Sequence, residues 1–237
     1  MPSSLYLVCW EDYSRATKKI DYHMHTSHTD GTTSAQEMAR AAVSKGLNEI
    51  LFSEHVRHTS TYFPEFASEI RSLSVTSLST RLGAETKVLD ETGTLDCTSS
   101  IEEQCDALVG SVHSPPTAMG GSWTKFTIEE AVELEFRLAL AIVTKSRAHI
   151  LGHPMGIVIS KFQVQPIEQL VSLASACRDH GKAFELNARY CPVPSRWLKL
   201  VKEAGCKISF GSDAHRPEDV GRSWEIFMNM DRQDCPS

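Results

Sequence analysis

Seven short apolar runs of this chain each carry a histidine or a carboxylate at or near their ends: Lys19 to His23, Glu49 to His55, Arg81 to Glu85, Asp106 to His113, Ala148 to His153, Lys182 to Asn187 and Cys206 to Asp213. Runs this short and this apolar read as buried strands. Between them lie stretches of helical spacing. Gln36 to Lys45 is one, with Ser34 as N-cap, Met38, Ala41, Ala42 and Leu47 as its apolar face and Gly46 as its stop; the others fall near 64–75, 127–146, 165–180, 194–204 and 217–230. Only the region from Lys87 to Gln104 lacks a clear long helix. Strands alternating with helices imply a parallel sheet, and seven such units predict an α/β fold: a distorted (β/α)7 TIM-like barrel. A length of 237 residues suits a single barrel domain over 19–237, preceded by an extension over 1–18.

In barrels of this kind the functional groups gather at the C-terminal ends of the strands, which is where the ligand-type residues fall. The densest case is Asp21-Tyr22-His23-Met24-His25 followed by Asp30-Gly31. Two strand residues separated by one point to the same side, so His23 and His25 can grip one ion together. The remaining run ends supply Glu54 and His55, Glu85, His113, His153, Glu185, and Asp213 with His215. A lone histidine ending an apolar run is ordinarily structural, but several sharing one end of successive strands point to a polynuclear metal site.

Composition narrows the partners. The formal net charge is -6, which leaves no broad basic surface to neutralise a nucleic-acid backbone and favours a small substrate over nucleic acid. Seven cysteines without a CxxC pair fit reduced thiols in a cytoplasmic protein. Residues 1–10 lack the basic lead and apolar length of an export signal, and no stretch approaches the roughly 20 apolar residues of a membrane span. There is neither a Gly-x-Ser-x-Gly elbow nor a phosphate-cradling Walker loop, which disfavours serine hydrolase and nucleotide kinase chemistry.

With those motifs in view (His23-Met24-His25, Asp30-Gly31, Ser53-Glu54-His55, Gly83-Ala84-Glu85, Gly110-Ser111-Val112-His113, Gly152-His153-Pro154 and Gly211-Ser212-Asp213-Ala214-His215), the chain resembles the PHP domain superfamily of polymerase and histidinol phosphatase type from Ile20 to about Gly221. The segment Gly211 to Gly221 is particularly similar to the histidinol-phosphatase-like branch. The resemblance implies a metal-dependent phosphoesterase acting on a small phosphorylated metabolite, a phosphomonoester such as histidinol phosphate or a nucleotide. Its alternatives are a PHP-type nuclease and a non-catalytic metal-binding module.

Carried over residue by residue, the resemblance implies two or three divalent ions, Zn, Mn or Fe. One is held by His23, His25, Glu85 and Asp213. Glu85 bridges it to a second at His113 and His153, and a third takes Asp30, His55 and His215. Glu85, Asp213 and His215 are the residues expected to serve catalysis. A water on such ions has its pKa lowered from 15.7 toward about 7 and can attack phosphorus without a protein nucleophile.

Cations near the strand ends, Arg57, Lys87, Arg189 and Arg216, are candidates for phosphate oxygens. Arg189 and Arg216 are preferred because a guanidinium offers two parallel donors, and Arg57 completes the expected substrate-binding set. His28 is a weaker alternative to Asp30, His58 is a possible mouth residue, and His149 and His180 are structural or solvated. Glu54 is a candidate to orient a ligand, Cys191 is core filler, and the Ser114 to Ser122 loop is the candidate flap.

Overall fold

The computed structural model describes residues 5–15 and 18–233. Eight strands form one sheet in the order β1-β8-β7-β6-β5-β4-β3-β2, and every pairing except β1 with β8 is parallel. The strands are β1 (Val8–Cys9), β2 (Ile20–Met24), β3 (Glu49–Val56), β4 (Ser79–Lys87), β5 (Ala107–Ser111), β6 (Ile150–Leu151), β7 (Ala183–Leu186) and β8 (Lys207–Phe210). Seven of them coincide with the seven runs. β2 and β5 are buried along their whole length, as expected of parallel strands covered on both faces.

The sheet curls until its two ends meet just past β8. Met24 bridges Ala214 in parallel, and the His25 amide donates to the Ala214 carbonyl at 2.8 Å. Asp21, buried beside this seam, accepts from the amides of Ser212 (2.9 Å) and Gly221 (2.7 Å), stitching the first parallel strand to the chain beyond the last. Closure by so few backbone contacts, with a two-residue β6, makes the barrel distorted.

The helices are α1 (Trp10–Arg15), α2 (Ala35–Ser44), α3 (Phe63–Ser72), α4 (Ser99–Gln104), α5 (Ile128–Lys145), α6 (Gly156–Phe162), α7 (Ile167–Asp179), α8 (Pro194–Ala204) and α9 (Arg222–Gln233). Ser34 caps α2 in a reciprocal box with Glu37, and Thr127 does the same for α5 with Glu130. The expected face of α2 is largely confirmed: Met38, Ala42 and Leu47 are buried while Ala41 is half-buried. The 217–230 helix instead begins as a short 3-10 turn at Pro217–Asp219 before α9.

β1, α1, α6 and the six-residue α4 are additions to the sequence reading. β1 and α1 pack onto the barrel floor, with Tyr13 and Trp10 buried edge-on against Phe210 at 4.9 and 6.2 Å between ring centres. No helix among the described residues is long and apolar enough to cross a membrane.

Candidate metal centre

The nine residues of the implied ligand set converge at one end of the barrel. Glu85, fully buried on β4, is their hub. Its Oε2 lies 3.5 Å from His23 Nε2, 3.7 Å from His25 Nε2 and 2.7 Å from His55 Nδ1. Its Oε1 lies 3.0 Å from His113 Nε2 and 2.9 Å from His153 Nε2. Asp213 Oδ1 adds a second carboxylate at 3.2 Å from His25 Nε2 and 3.7 Å from His23 Nε2. At the rim, Asp30 Oδ2 sits 3.4 Å from His55 Nε2 and 3.2 Å from His215 Nε2.

Chemistry of the donor set tests whether metal fits. His23 Nε2 and His25 Nε2 are buried and lack a hydrogen-bond partner, a costly state for two polar atoms that face the buried Glu85 Oε2. Two ligands on one tetrahedral ion with bonds near 2.0 Å stand about 3.3 Å apart. The separations of these nitrogens from Glu85 Oε2 and Asp213 Oδ1, 3.2 to 3.7 Å, bracket that value, so an ion accounts for both the spacing and the missing partners. Groups able to hold an ion also form around His25, Asp30, His55 and His215, and around His55, Glu85 and His113.

Local backbone explains how such crowding is sustained. Asp213 and His153 both adopt positive φ, at 52° and 25°, a conformation that costs non-glycine residues about 1–3 kcal/mol each and persists where surrounding contacts over-determine it. For His153 those contacts include its amide, which donates to Glu185. Gly31 closes the turn carrying Asp30, and a Cβ there would lie 2.7 Å from the His25 carbonyl oxygen, so the turn demands glycine.

Charge is strongly redistributed. Burial would raise the Glu85 carboxyl, but His113 and His23 hold it well below the usual range. Asp213 is likewise lowered, with the close approach of His25 and the charge of His23 outweighing burial. Burial lowers His25 to about 4, leaving a neutral imidazole whose ring stacks between His55 and His215. Burial alone would also lower His55, yet its hydrogen bond to Glu85 prevails and raises it to about 9.

A pH dependence follows, because His55 has an ordinary value near 6.5 when unfolded. Its contribution to the metal-free fold is complete below about pH 6.5 and is lost as pH rises through about 9. A ligand must offer a lone pair, so loading metal between these pH values is expected to expel a proton. Titration calorimetry in two buffers of different ionisation enthalpy reads this release; a binding heat identical in both would refute it.

Glu185 is the principal residue that the sequence reading placed without assigning a role. Buried on β7, it accepts from His23 Nδ1 at 2.7 Å, fixing which ring nitrogen of His23 faces the cluster. Glu54, expected to orient a ligand, instead accepts from the Thr26 amide and the Thr29 hydroxyl, holding the loop that bears Asp30. His28 turns away from Asp30 and pairs with Glu69 at 2.7 Å, while His58, largely exposed, pairs with Asp96. His149 accepts from the Leu108 amide at 3.1 Å, and His180 follows α7 as its C-cap. Burial pushes the Cys191 thiol up to about 12, which makes it a poor nucleophile.

Two cavities open onto the cluster from opposite sides. One is lined by Arg189, Asp213, His215, Arg216 and Arg222, where Arg189 holds Asp213 Oδ2 at 3.0 Å and Arg216 holds Asp219 at 3.4 Å. The other is lined by His55, Arg57, Glu85, Lys87, His113 and Ser114. The Ser114 to Ser122 loop leaves directly from His113, and Trp123 at its far end donates from Nε1 to the His113 carbonyl at 3.0 Å.

A parallel α/β barrel with histidines and carboxylates gathered on one buried glutamate at its strand ends defines a metal-site barrel. The PHP domain model matches residues 21–189 and the PHP-associated model residues 196–234, and the chain belongs to the PHP domain family. It is 30% identical over 214 residues to the DNA polymerase/3'-5' exonuclease PolX of Bacillus subtilis (strain 168), covering 84% of this chain but only 35% of that protein, so it spans about a third of that relative's length. A probable phosphatase of Thermoanaerobacter sp. (strain X514) is 27% identical over 223 residues, 88% of this chain and 83% of the relative. In fold, the chain is similar to histidinol phosphate phosphatase from Lactococcus lactis, crystallised with zinc, L-histidinol and phosphate, with a TM-score of 0.68 at 23% identity over 90% of this chain and 93% of that one.

Proposed function

We propose that this protein is a metal-dependent phosphoesterase that hydrolyses a small phosphorylated metabolite, a phosphomonoester such as histidinol phosphate or a nucleotide. We assign the activity to one barrel domain, 19–237, with 1–18 as an extension of it, in a cytoplasmic protein. The observation that carries this reading is the pair of buried, unpartnered imidazole nitrogens, His23 Nε2 and His25 Nε2, facing the carboxylates of Glu85 and Asp213. In this reading His23, His25, Glu85 and Asp213 hold one divalent ion, Glu85 with His113 and His153 a second, and Asp30, His55 and His215 a third. Such ions supply Lewis-acid polarisation of a phosphoryl oxygen and ionise water near neutral pH.

The chain's own side chains do the positioning. Glu85 sets one carboxylate oxygen toward each half of the cluster, and Glu185 keeps His23 in the orientation that presents Nε2. Asp213, anchored by Arg189, and His215, facing Asp30, flank the reacting region. The guanidinium groups of Arg189 and Arg216 reach the same cavity, where donors not engaged by Asp213 and Asp219 are available for phosphate oxygens, and Arg57 approaches from the opposite side.

A nuclease is the second reading, favoured by the similarity to the exonuclease-bearing relative. A panel of phosphomonoesters beside single-stranded DNA separates the two. Purified protein is expected to release phosphate from at least one monoester. Stripping with a chelator is expected to abolish that release, and adding back Mn or Zn to restore it. Asp213→Ala is expected to lose at least about 100-fold in kcat/KM. Turnover of DNA alone would establish the nuclease, and metal-loaded protein inert on both would leave a binding module.

A further inference from the structure

We infer that the cavity on the β3–β4 side is a second anion subsite, so that the substrate carries another anionic group besides the phosphate that reacts. This rests on the phosphoesterase reading and names its substrate class: a small metabolite with two acidic groups. The placement follows from strand register. His55 on β3 lies directly opposite Glu85 on β4. Side chains two residues apart share a strand face and are about 6–7 Å apart along it. Lys87, the last residue of β4, follows Glu85 by two and stands one pleat repeat farther toward the mouth, and Arg57 follows His55 by two just past the end of β3. Arg57, Lys87 and Ser114 line the same cavity as His55, Glu85 and His113, and Lys87 Nζ lies 3.4 Å from the Ser114 hydroxyl.

The charge on the two sides differs. Arg189 is committed to Asp213, and Arg216 and Arg222 share Asp219 at 3.4 and 3.9 Å. Among the described residues Arg57 and Lys87 have no carboxylate within ion-pair distance. Two cations and a hydroxyl facing one cavity that reaches the cluster, without a direct ion pair, are complementary to an anion placed about one strand repeat, roughly 6–7 Å, beyond the group bound at the cluster.

Non-hydrolysable ligands test this independently of turnover. Metal-loaded full-length protein is titrated calorimetrically with butylphosphonate and with butane-1,4-bisphosphonate, whose second group stands at about the required distance. The bisphosphonate is expected to bind at least about ten-fold more tightly. Lys87→Met is expected to remove most of that ratio and Lys87→Arg to retain it. Equal affinities in the wild type overturn the inference, as does a Lys87→Met variant that weakens both ligands by the same factor, since Lys87 would then serve the reacting phosphate. A preserved ratio in a protein that hydrolyses no monoester would instead refute the phosphoesterase reading alone.

Discussion

Glu85→Gln is expected to lower phosphate release by about 1,000-fold or more while the barrel stays folded. Glutamine has the same shape but neither the charge nor the second oxygen acceptor, and both carboxylate oxygens of Glu85 are in use. Oε2 faces His23, His25 and His55, whereas Oε1 faces His113 and His153. A neutral amide also turns an N–H toward one of these two groups, where a metal ligand must present a lone pair. Elemental analysis should therefore show loss of bound metal in parallel with loss of rate. Circular dichroism should show retained secondary structure, because the apolar core around β4 is unchanged. A Glu85→Gln protein with full metal content and near wild-type kcat/KM would eliminate the cluster as the reaction centre.

Adding one methyl group at Gly211 is expected to do comparable damage by a different route. A Cβ there would lie 1.9 Å from Glu185 Oε1, 2.6 Å from Glu185 Cδ and 2.7 Å from His23 Cβ. The carboxylate has no free direction in which to retreat: it is fully buried and accepts from His23 Nδ1, the His153 amide and, at 3.3 Å, the Asn187 side chain. Overpacking together with at least one broken buried hydrogen bond should cost about 2–4 kcal/mol in Gly211→Ala. For a chain of this size that corresponds to a melting temperature lower by roughly 4–16 °C. Metal affinity should drop about 10- to 100-fold as His23 loses its orienting partner. Unchanged melting temperature and metal affinity in Gly211→Ala would show that the cradle around Glu185 is tolerant and that its tight fit has no functional weight.

Local signals explain how much of this was legible before any fold was known. The seven parallel strands stand out because burial on both faces keeps them apolar until the mouth, where the chain changes abruptly to histidine and carboxylate. Ser34 and Gly46 mark the ends of α2 through chemistry confined to a few neighbouring residues. What escaped depends on distant partners. β1 is two residues long, too short to show any period, and exists because it pairs with β8. α6 begins at a left-handed Met155 without a local side-chain cap. Its first amides are accepted by Glu135, a buried carboxylate of α5, at 3.0 and 2.8 Å.

From sequence alone came the identity and the order of the groups that meet at the mouth, because strand and helix periods are local and a barrel must deliver its strand ends to one rim. Proximity was decided by the tertiary structure. Closure of the seam between Met24 and Ala214 brings Asp213 within 3.2 Å of His25, and the register of β7 against β8 sets Glu185 behind His23 and against Gly211. The same closure and register turn Arg189 toward Asp213 while Arg57 and Lys87 face the other cavity. Residue type is written position by position, whereas a separation of 3 Å between groups nearly 190 residues apart arises only when the whole sheet has curled and its helices have packed around it.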